Sequence, residues 1–131
     1  MSSERTEQPP ASRRPRGPVV LAETRDARRI ERALRVPADL AALEGHFPGA
    51  PLVAAVVQLG WVMDAAAALA GRALAPLAFE GLRFRDVLAP PQELRLALEL
   101  AAGGDLARFQ LDAGERVFAA GRVRLAAAER P

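Results

Sequence analysis

The sequence predicts an α+β domain in which an antiparallel sheet packs against one long helix. Residues 52–69 form an apolar stretch of about five helical turns, broken only by Gln58, Gly60 and Asp64. After Gly71, apolar and polar residues alternate, which is typical of antiparallel strands with one buried face. Together these two patterns predict one central helix covered by at least four strands.

The chain of 131 residues is long enough for one domain with one hydrophobic core. Half of its residues are apolar, which excludes disorder for most of its length. Residues 1–17 are rich in Ser, Glu, Arg and Pro and predict a disordered tail, in which Arg13, Arg14 and Arg16 are interpreted as solvated. The domain is therefore assigned to residues 18–126, with a second tail at 127–131.

Charge and composition exclude several classes of function. The net charge of +2 does not indicate a nucleic-acid-binding protein. No cysteine and a single histidine leave no disulfide framework and no cysteine or histidine cluster for a metal, so no cofactor is expected. The N-terminus has no apolar signal segment, and a cytoplasmic location is expected.

The elements before the long helix are partly ambiguous. Residues 19–23 are β-branched or apolar and predict a first strand. Residues 27–36 fit a helix through the spacing of Ile30 and Leu34, or a strand with Ile30, Leu34 and Val36 on one face together with Arg32. Pro37 ends either element, and residues 39–43 predict a turn or helical loop.

The apolar stretch at 52–69 is predicted to be a buried helix. A helix that is apolar on every side is either buried or spans a membrane. Its many alanines are weakly hydrophobic and Asp64 is costly in lipid, so burial is favoured. After it, strands are predicted at residues 77–84, 92–100, 107–112 and 117–125, with turns at 103–105 and 113–114.

A loop rich in Gly and Pro at residues 45–51 carries His46 directly before the helix. Imidazole can accept or donate a proton near neutral pH. The free N–H groups at a helix N-terminus can bind a carbonyl oxygen or oxyanion. Removal of a proton next to a thioester carbonyl needs both groups. On local chemistry alone, a histidine that caps the helix or packs in the core is the favoured interpretation.

The segment LEGHFPGAPLVAAVVQLGWVMDAA resembles the signature of the 3-hydroxyacyl-(acyl carrier protein) dehydratases, in particular those of aryl-polyene clusters. The resemblance extends over residues 19–125 and includes FEGLRF at 79–84 and GRV at 121–123. It implies a hot-dog fold, in which an antiparallel sheet wraps one long central helix, and two protomers that share active sites at their interface.

The resemblance also implies roles for individual residues. His46 would remove the α proton, and the backbone N–H groups of Ala55 and Val56 would hold the thioester oxygen. A carboxylic acid of the partner's helix would protonate the departing hydroxyl. The residues predicted to line the substrate site are Phe47, Pro48, Gly49, Ala55, Val56 and Gly60.

Two departures from the family pattern weaken this assignment. The acid's position, one residue before Trp61, is Gly60, which cannot transfer a proton. The usual Pro-Gly pair is Ala54-Ala55, and alanine adds a Cβ where the backbone approaches the substrate. Asp64 lies one turn beyond Gly60 on the same face. It is a candidate replacement acid, and the competing interpretation is a structural residue.

The leading function is therefore a dehydratase-like activity on acyl carrier protein thioesters, in fatty-acid or polyene-type biosynthesis. The alternatives are a non-catalytic hot-dog partner subunit, an acyl-binding module and a hot-dog thioesterase. A homodimer, or a heterodimer with another hot-dog subunit, is expected. The candidate residues for docking the acidic carrier protein are Arg83, Arg85, Arg122 and Arg124.

Overall fold

A computed structural model describes residues 17–38, 53 and 55–127. These residues form six strands and one helix. The elements in chain order are β1 (Val19–Arg25), β2 (Arg29–Val36), α1 (Ala55–Ala70), β3 (Leu74–Phe84), β4 (Gln92–Leu100), β5 (Leu106–Ala113) and β6 (Arg116–Ala127). The predicted tails, the turn at 39–43 and the loop at 45–51 lie wholly or largely outside the described residues.

The six strands form one antiparallel sheet in the order β1-β2-β4-β5-β6-β3. Among the strands after the helix, only β4, β5 and β6 are neighbours in the sheet in the order in which they follow one another in the sequence. Strand β3 follows α1 in sequence but pairs with β6, the last strand, at the far edge. The two edges of the sheet are β1 and β3.

Strand β2 resolves the ambiguity at residues 27–36 in favour of a strand. It pairs with β4 along its whole length, from Arg29 opposite Glu99 to Val36 opposite Gln92. Ile30, Leu34 and Val36 are buried on one face, as the alternating pattern predicts. Although the spacing of Ile30 and Leu34 also fits a helix, this segment forms a strand because full-length pairing with β4 satisfies the backbone groups of β2.

The hydrophobic core lies between α1 and one face of the sheet, which we call the inner face. The alternating leucines of β4 and the apolar positions of β5 are buried there, as predicted. These residues are Leu94, Leu96, Leu98, Leu100, Ala107, Phe109 and Leu111. Helix α1 contributes Trp61, Val62, Ala65 and Ala66 to the same core. The opposite, outer face of the sheet carries mainly charged side chains.

Helix α1 begins later than predicted and is not buried on every side. Val53 precedes the helix, and its N–H donates a hydrogen bond to the carbonyl of Leu88 at 2.9 Å. The helix ends at Ala70, and Gly71 follows it with a φ of 73°, which turns the chain so that the N–H of Arg72 donates a hydrogen bond to the carbonyl of Ala67 at 3.3 Å. One stripe of α1 is exposed. Within the described residues, no helix has the length and hydropathy of a membrane span.

The edge strand β1 is tied to the C-terminus of α1 by one side chain. Nη1 of Arg25 donates a hydrogen bond to the carbonyl oxygen of Ala68 at 2.8 Å. The last turn of α1 has no basic residue of its own. Arg25 therefore places a cation at the negative end of the helix dipole, where it is stabilising.

Candidate active site

The first turn of α1 contains two of the residues predicted to bind substrate, Ala55 and Val56. Both are exposed, and Val56 retains 73% of its accessible surface. The N–H groups of a first helical turn have no partner within the helix, and the helix dipole is positive there. This end of α1 can therefore accept a carbonyl oxygen or an oxyanion.

A buried amide lies directly beneath this turn. Gln58 is only 4% exposed, and its Nε2 donates a hydrogen bond to the carbonyl oxygen of Val53 at 3.2 Å. Val53 in turn donates to Leu88, so the start of α1 is joined to the segment before β4. The Oε1 atom of Gln58 is buried and has no hydrogen-bond partner among the described groups.

From the sequence, Gln58 is assigned no functional role and is identified only as a polar residue in an otherwise apolar helix. The available signal is its position, because it is the first polar side chain after the predicted loop and lies where the helix is otherwise apolar. Buried amides are normally hydrogen-bonded through both atoms. The Oε1 atom, which has no partner among the described groups, is therefore expected to bond to a water molecule or to a polar group outside them.

Gly60 and Asp64 lie on the exposed stripe of α1 that begins at Val56. Successive members of this stripe are about 6 Å apart along the helix axis. A Cβ added at Gly60 would meet no described atom within 4 Å. A carboxylate at Gly60 therefore has room, and Asp64 is the one acidic side chain that α1 presents to solvent.

The structure thus places four predicted site residues on one helix. Ala55, Val56, Gly60 and Asp64 belong to α1. The other predicted residues, His46, Phe47, Pro48 and Gly49, lie outside the described part of the chain. Within residues 17–38, 53 and 55–127, no group of His, Cys, Asp and Glu side chains is arranged to hold a metal ion.

A single helix packed on the inner face of a six-stranded antiparallel sheet defines a hot-dog domain. This confirms the predicted fold. Residues 22–122 match the family described as ApeI-like, ApeI dehydratase. The chain belongs to this family of hot-dog dehydratases, which confirms the resemblance to the aryl-polyene type.

Solved structures share the fold. One is the dehydratase heterocomplex ApeI:P from Xenorhabdus doucetiae, with a TM-score of 0.77, 24% identity, and coverage of 83% of this chain and 97% of that one. An uncharacterized protein from Erwinia carotovora subsp. atroseptica has a TM-score of 0.69 and 30% identity, with coverage of 84% and 96%. AziG from S. sahachiroi has a TM-score of 0.57 and 20% identity, with coverage of 83% and 91%. No curated protein matches the chain.

Proposed function

We propose that this chain is a subunit of a dehydratase that removes water from 3-hydroxyacyl thioesters. The family membership of residues 22–122 supports the reaction class. In this reaction His46 takes the proton from C2, and the electron pair forms the C2–C3 double bond. The C3 hydroxyl then leaves with a proton as water. The backbone N–H groups at Ala55 and Val56 hold the thioester oxygen while negative charge develops on it.

The carboxylic acid of the proposed reaction comes from a second hot-dog subunit. Gly60 has no side chain that can transfer a proton, and Asp64 lies about 6 Å further along the axis of α1. The similar structure from Xenorhabdus doucetiae is a heterocomplex. That observation supports a mixed dimer, in which the partner subunit carries the acid and this chain supplies His46.

The proposed substrate is carried by an acyl carrier protein, with both proteins in the cytoplasm. Of the four arginines predicted to dock the carrier, Arg122 and Arg124 lie within 4 Å of the Glu80 carboxylate. Arg83 and Arg85 form no ion pair among the described residues. Because no described carboxylate neutralises them, Arg83 and Arg85 are the stronger candidates for contacting an acidic carrier protein.

The experiment measures turnover of a 3-hydroxyacyl carrier-protein thioester by the purified chain and its variants. Gly60→Asp restores the missing acid in open space and is expected to raise turnover at least about tenfold, which corresponds to about 1.4 kcal/mol in the barrier. Gly60→Asn is the matched control, because it fills the same space without an acidic proton. His46→Ala in the Gly60→Asp background is expected to abolish the gain.

Two results would contradict the proposal in different ways. If Gly60→Asp folds normally and gains no activity over Gly60→Asn, the site lacks more than an acid. The chain is then a non-catalytic partner subunit, a second candidate that the open, acid-free position 60 favours. If the parent chain is already fast and Asp64→Asn abolishes its activity, the acid lies one helical turn further along in this chain.

A further inference from the structure

On the outer face of the sheet, charged side chains of neighbouring strands form a row that runs across the strands. Positive and negative charges alternate along this row except at one point. Within this row, Arg29 lies opposite Glu99, and Glu99 lies opposite Arg108. Arg108 then lies opposite Arg122, which itself lies opposite Glu80. Two like charges directly opposite each other destabilise a strand pair. An anion bound beside the Arg108–Arg122 pair would relieve this repulsion.

Neighbouring carboxylates balance this pair only in part. Glu80 lies 2.6 Å from Arg124 and 3.8 Å from Arg122, so its charge is directed mainly to Arg124. Arg29, by contrast, lies 2.6 Å from Glu31 and 3.9 Å from Glu99. Among the described residues, no ion pair includes Arg108. The centre of the row thus has an excess of positive charge.

A cavity of about 200 Å³ opens beside this pair. Arg28, Arg108 and Arg122 line it together with a single carboxylate, that of Glu99. Arg28 comes from the turn between β1 and β2, where its carbonyl oxygen accepts a 2.7 Å hydrogen bond from the N–H of Leu100. That bond fixes the turn against the end of β4. Three arginines from separate parts of the chain therefore line one cavity.

We propose that this cavity binds the phosphate group of a small phosphorylated molecule. Planar guanidinium groups form paired hydrogen bonds with phosphate oxygens, and a phosphate dianion brings more charge to Arg108 and Arg122 than a single carboxylate does. The site lies on the outer face, away from α1. Its lining includes no residue of the proposed acyl site and shares only Arg122 with the residues predicted to dock the carrier protein, so it does not depend on the proposed dehydratase activity.

The test is calorimetric titration of the full-length chain with inorganic phosphate and with inorganic pyrophosphate at constant ionic strength. Wild-type protein is expected to show saturable binding, and Arg108→Gln is expected to weaken it at least about tenfold. Arg29→Gln is the matched control. It removes an arginine from the same row that is already paired with carboxylates, and it should change the affinity less than about twofold.

Three outcomes would overturn the proposal. One is the absence of saturable binding up to about 10 mM of either anion. Another is an equal loss of affinity in Arg108→Gln and Arg29→Gln, because that result reflects general surface charge. A third is equal binding of acetate at the same ionic strength, because that result removes the preference for phosphate. Circular dichroism of each variant confirms that folding is unchanged.

Discussion

Two glycines of this chain have opposite steric surroundings, and the difference decides what a substitution does at each. Gly121 in β6 lies under the irregular part of β3, where an added Cβ would come within 3.2 Å of the Leu82 Cα and 3.3 Å of the Glu80 carbonyl oxygen. Gly60 in α1 has no described atom near an added Cβ. A side chain at 121 therefore requires the backbone of β3 to shift slightly, whereas a Cβ at 60 displaces no described atom.

Gly121→Ala is expected to lower the free energy of unfolding by about 1–3 kcal/mol, because the backbone of β3 must move to admit the methyl group. Gly60→Ala is the matched control. It is expected to leave stability unchanged or raise it by about 0.5–1 kcal/mol, since alanine favours the helix interior. Urea denaturation of both variants measures the difference. Equal effects at the two positions would show that the close approach of β3 and β6 is not maintained in solution.

The same contrast shows what could be predicted for individual residues. The importance of position 60 followed from the motif around Gly60 and Trp61, because a local pattern fixes where the missing acid belongs. The constraint on Gly121 had no local signal, since it arises from Leu82, almost forty residues away in sequence. The burial of Gln58, whose Oε1 has no partner among the described groups, also had no local signal, because burial depends on how α1 packs against the sheet.

At the scale of elements, one carboxylate joins the edge strand β1 to its neighbours. Glu23 accepts hydrogen bonds from Nε of Arg25 at 2.9 Å and Nε of Arg32 at 2.8 Å. Arg25 also bonds to Ala68 at the end of α1. Glu23 therefore orients the arginine that connects β1 to the helix. Hydrogen bonds from Arg25 and then Arg32 hold the pKa of Glu23 below its usual value of about 4.5.

Because of this lowered pKa, the contribution of Glu23 to the stability of the fold depends on pH. A carboxyl group whose pKa is lower in the folded state stabilises the fold above its ordinary pKa, and the contribution is lost as the pH falls through the folded value. Glu23→Gln is therefore expected to lower the melting temperature at pH 7. Its difference from wild type should shrink as the pH falls below about 4.5.

The matched control for Glu23 is Glu115→Gln, in the exposed turn between β5 and β6. Glu115 forms no ion pair within the described part of the chain, and its substitution should change the melting temperature little at any pH. Thermal unfolding between about pH 3 and pH 7 makes the comparison. A Glu23→Gln deficit that stays constant over this range would contradict the role of the ionised carboxylate.

The strands were predictable where their signal was local. The alternating leucines of β4 and the alternation of Ala107, Phe109 and Leu111 in β5 fixed both strands and their buried faces. The position of β3 was not predictable, because its pairing with β6 joins segments that are separated by the whole of β4 and β5. The start of α1 was also misplaced, since apolar residues continue before it and the hydrogen bond from Val53 to Leu88 is non-local.

At the scale of the whole molecule, the sheet has two exposed edges, and both carry apolar side chains. Leu77 of β3 is 67% exposed, and Leu21 of β1 is 43% exposed. An open edge with apolar residues favours pairing with another chain. β3 also carries the exposed Phe84, and β1 the exposed Val19 and Val20. The two edges differ because Arg25 joins β1 to the end of α1, whereas no such side-chain hydrogen bond holds β3 to the helix among the described residues.

We expect the chain to form dimers through β3, whether with itself or with a second hot-dog subunit. Leu77→Arg places a charge on the exposed apolar surface of this edge and is expected to weaken the dimer at least about tenfold, because an unpaired charge would be buried on association. Leu21→Arg is the matched control on the β1 edge and should leave the dimer intact. Both positions are solvent-exposed in the single chain, so neither change should prevent folding.

Light scattering of the purified chain and both variants across micromolar concentrations measures this assembly. A dimer that Leu77→Arg dissociates and Leu21→Arg does not would assign the interface to β3. A chain that is monomeric alone, and that forms a mixed dimer only with an acid-bearing hot-dog subunit, would identify the heterodimer as the functional form. Dissociation by Leu21→Arg alone would assign the interface to β1, and the expected pairing through β3 would then be wrong.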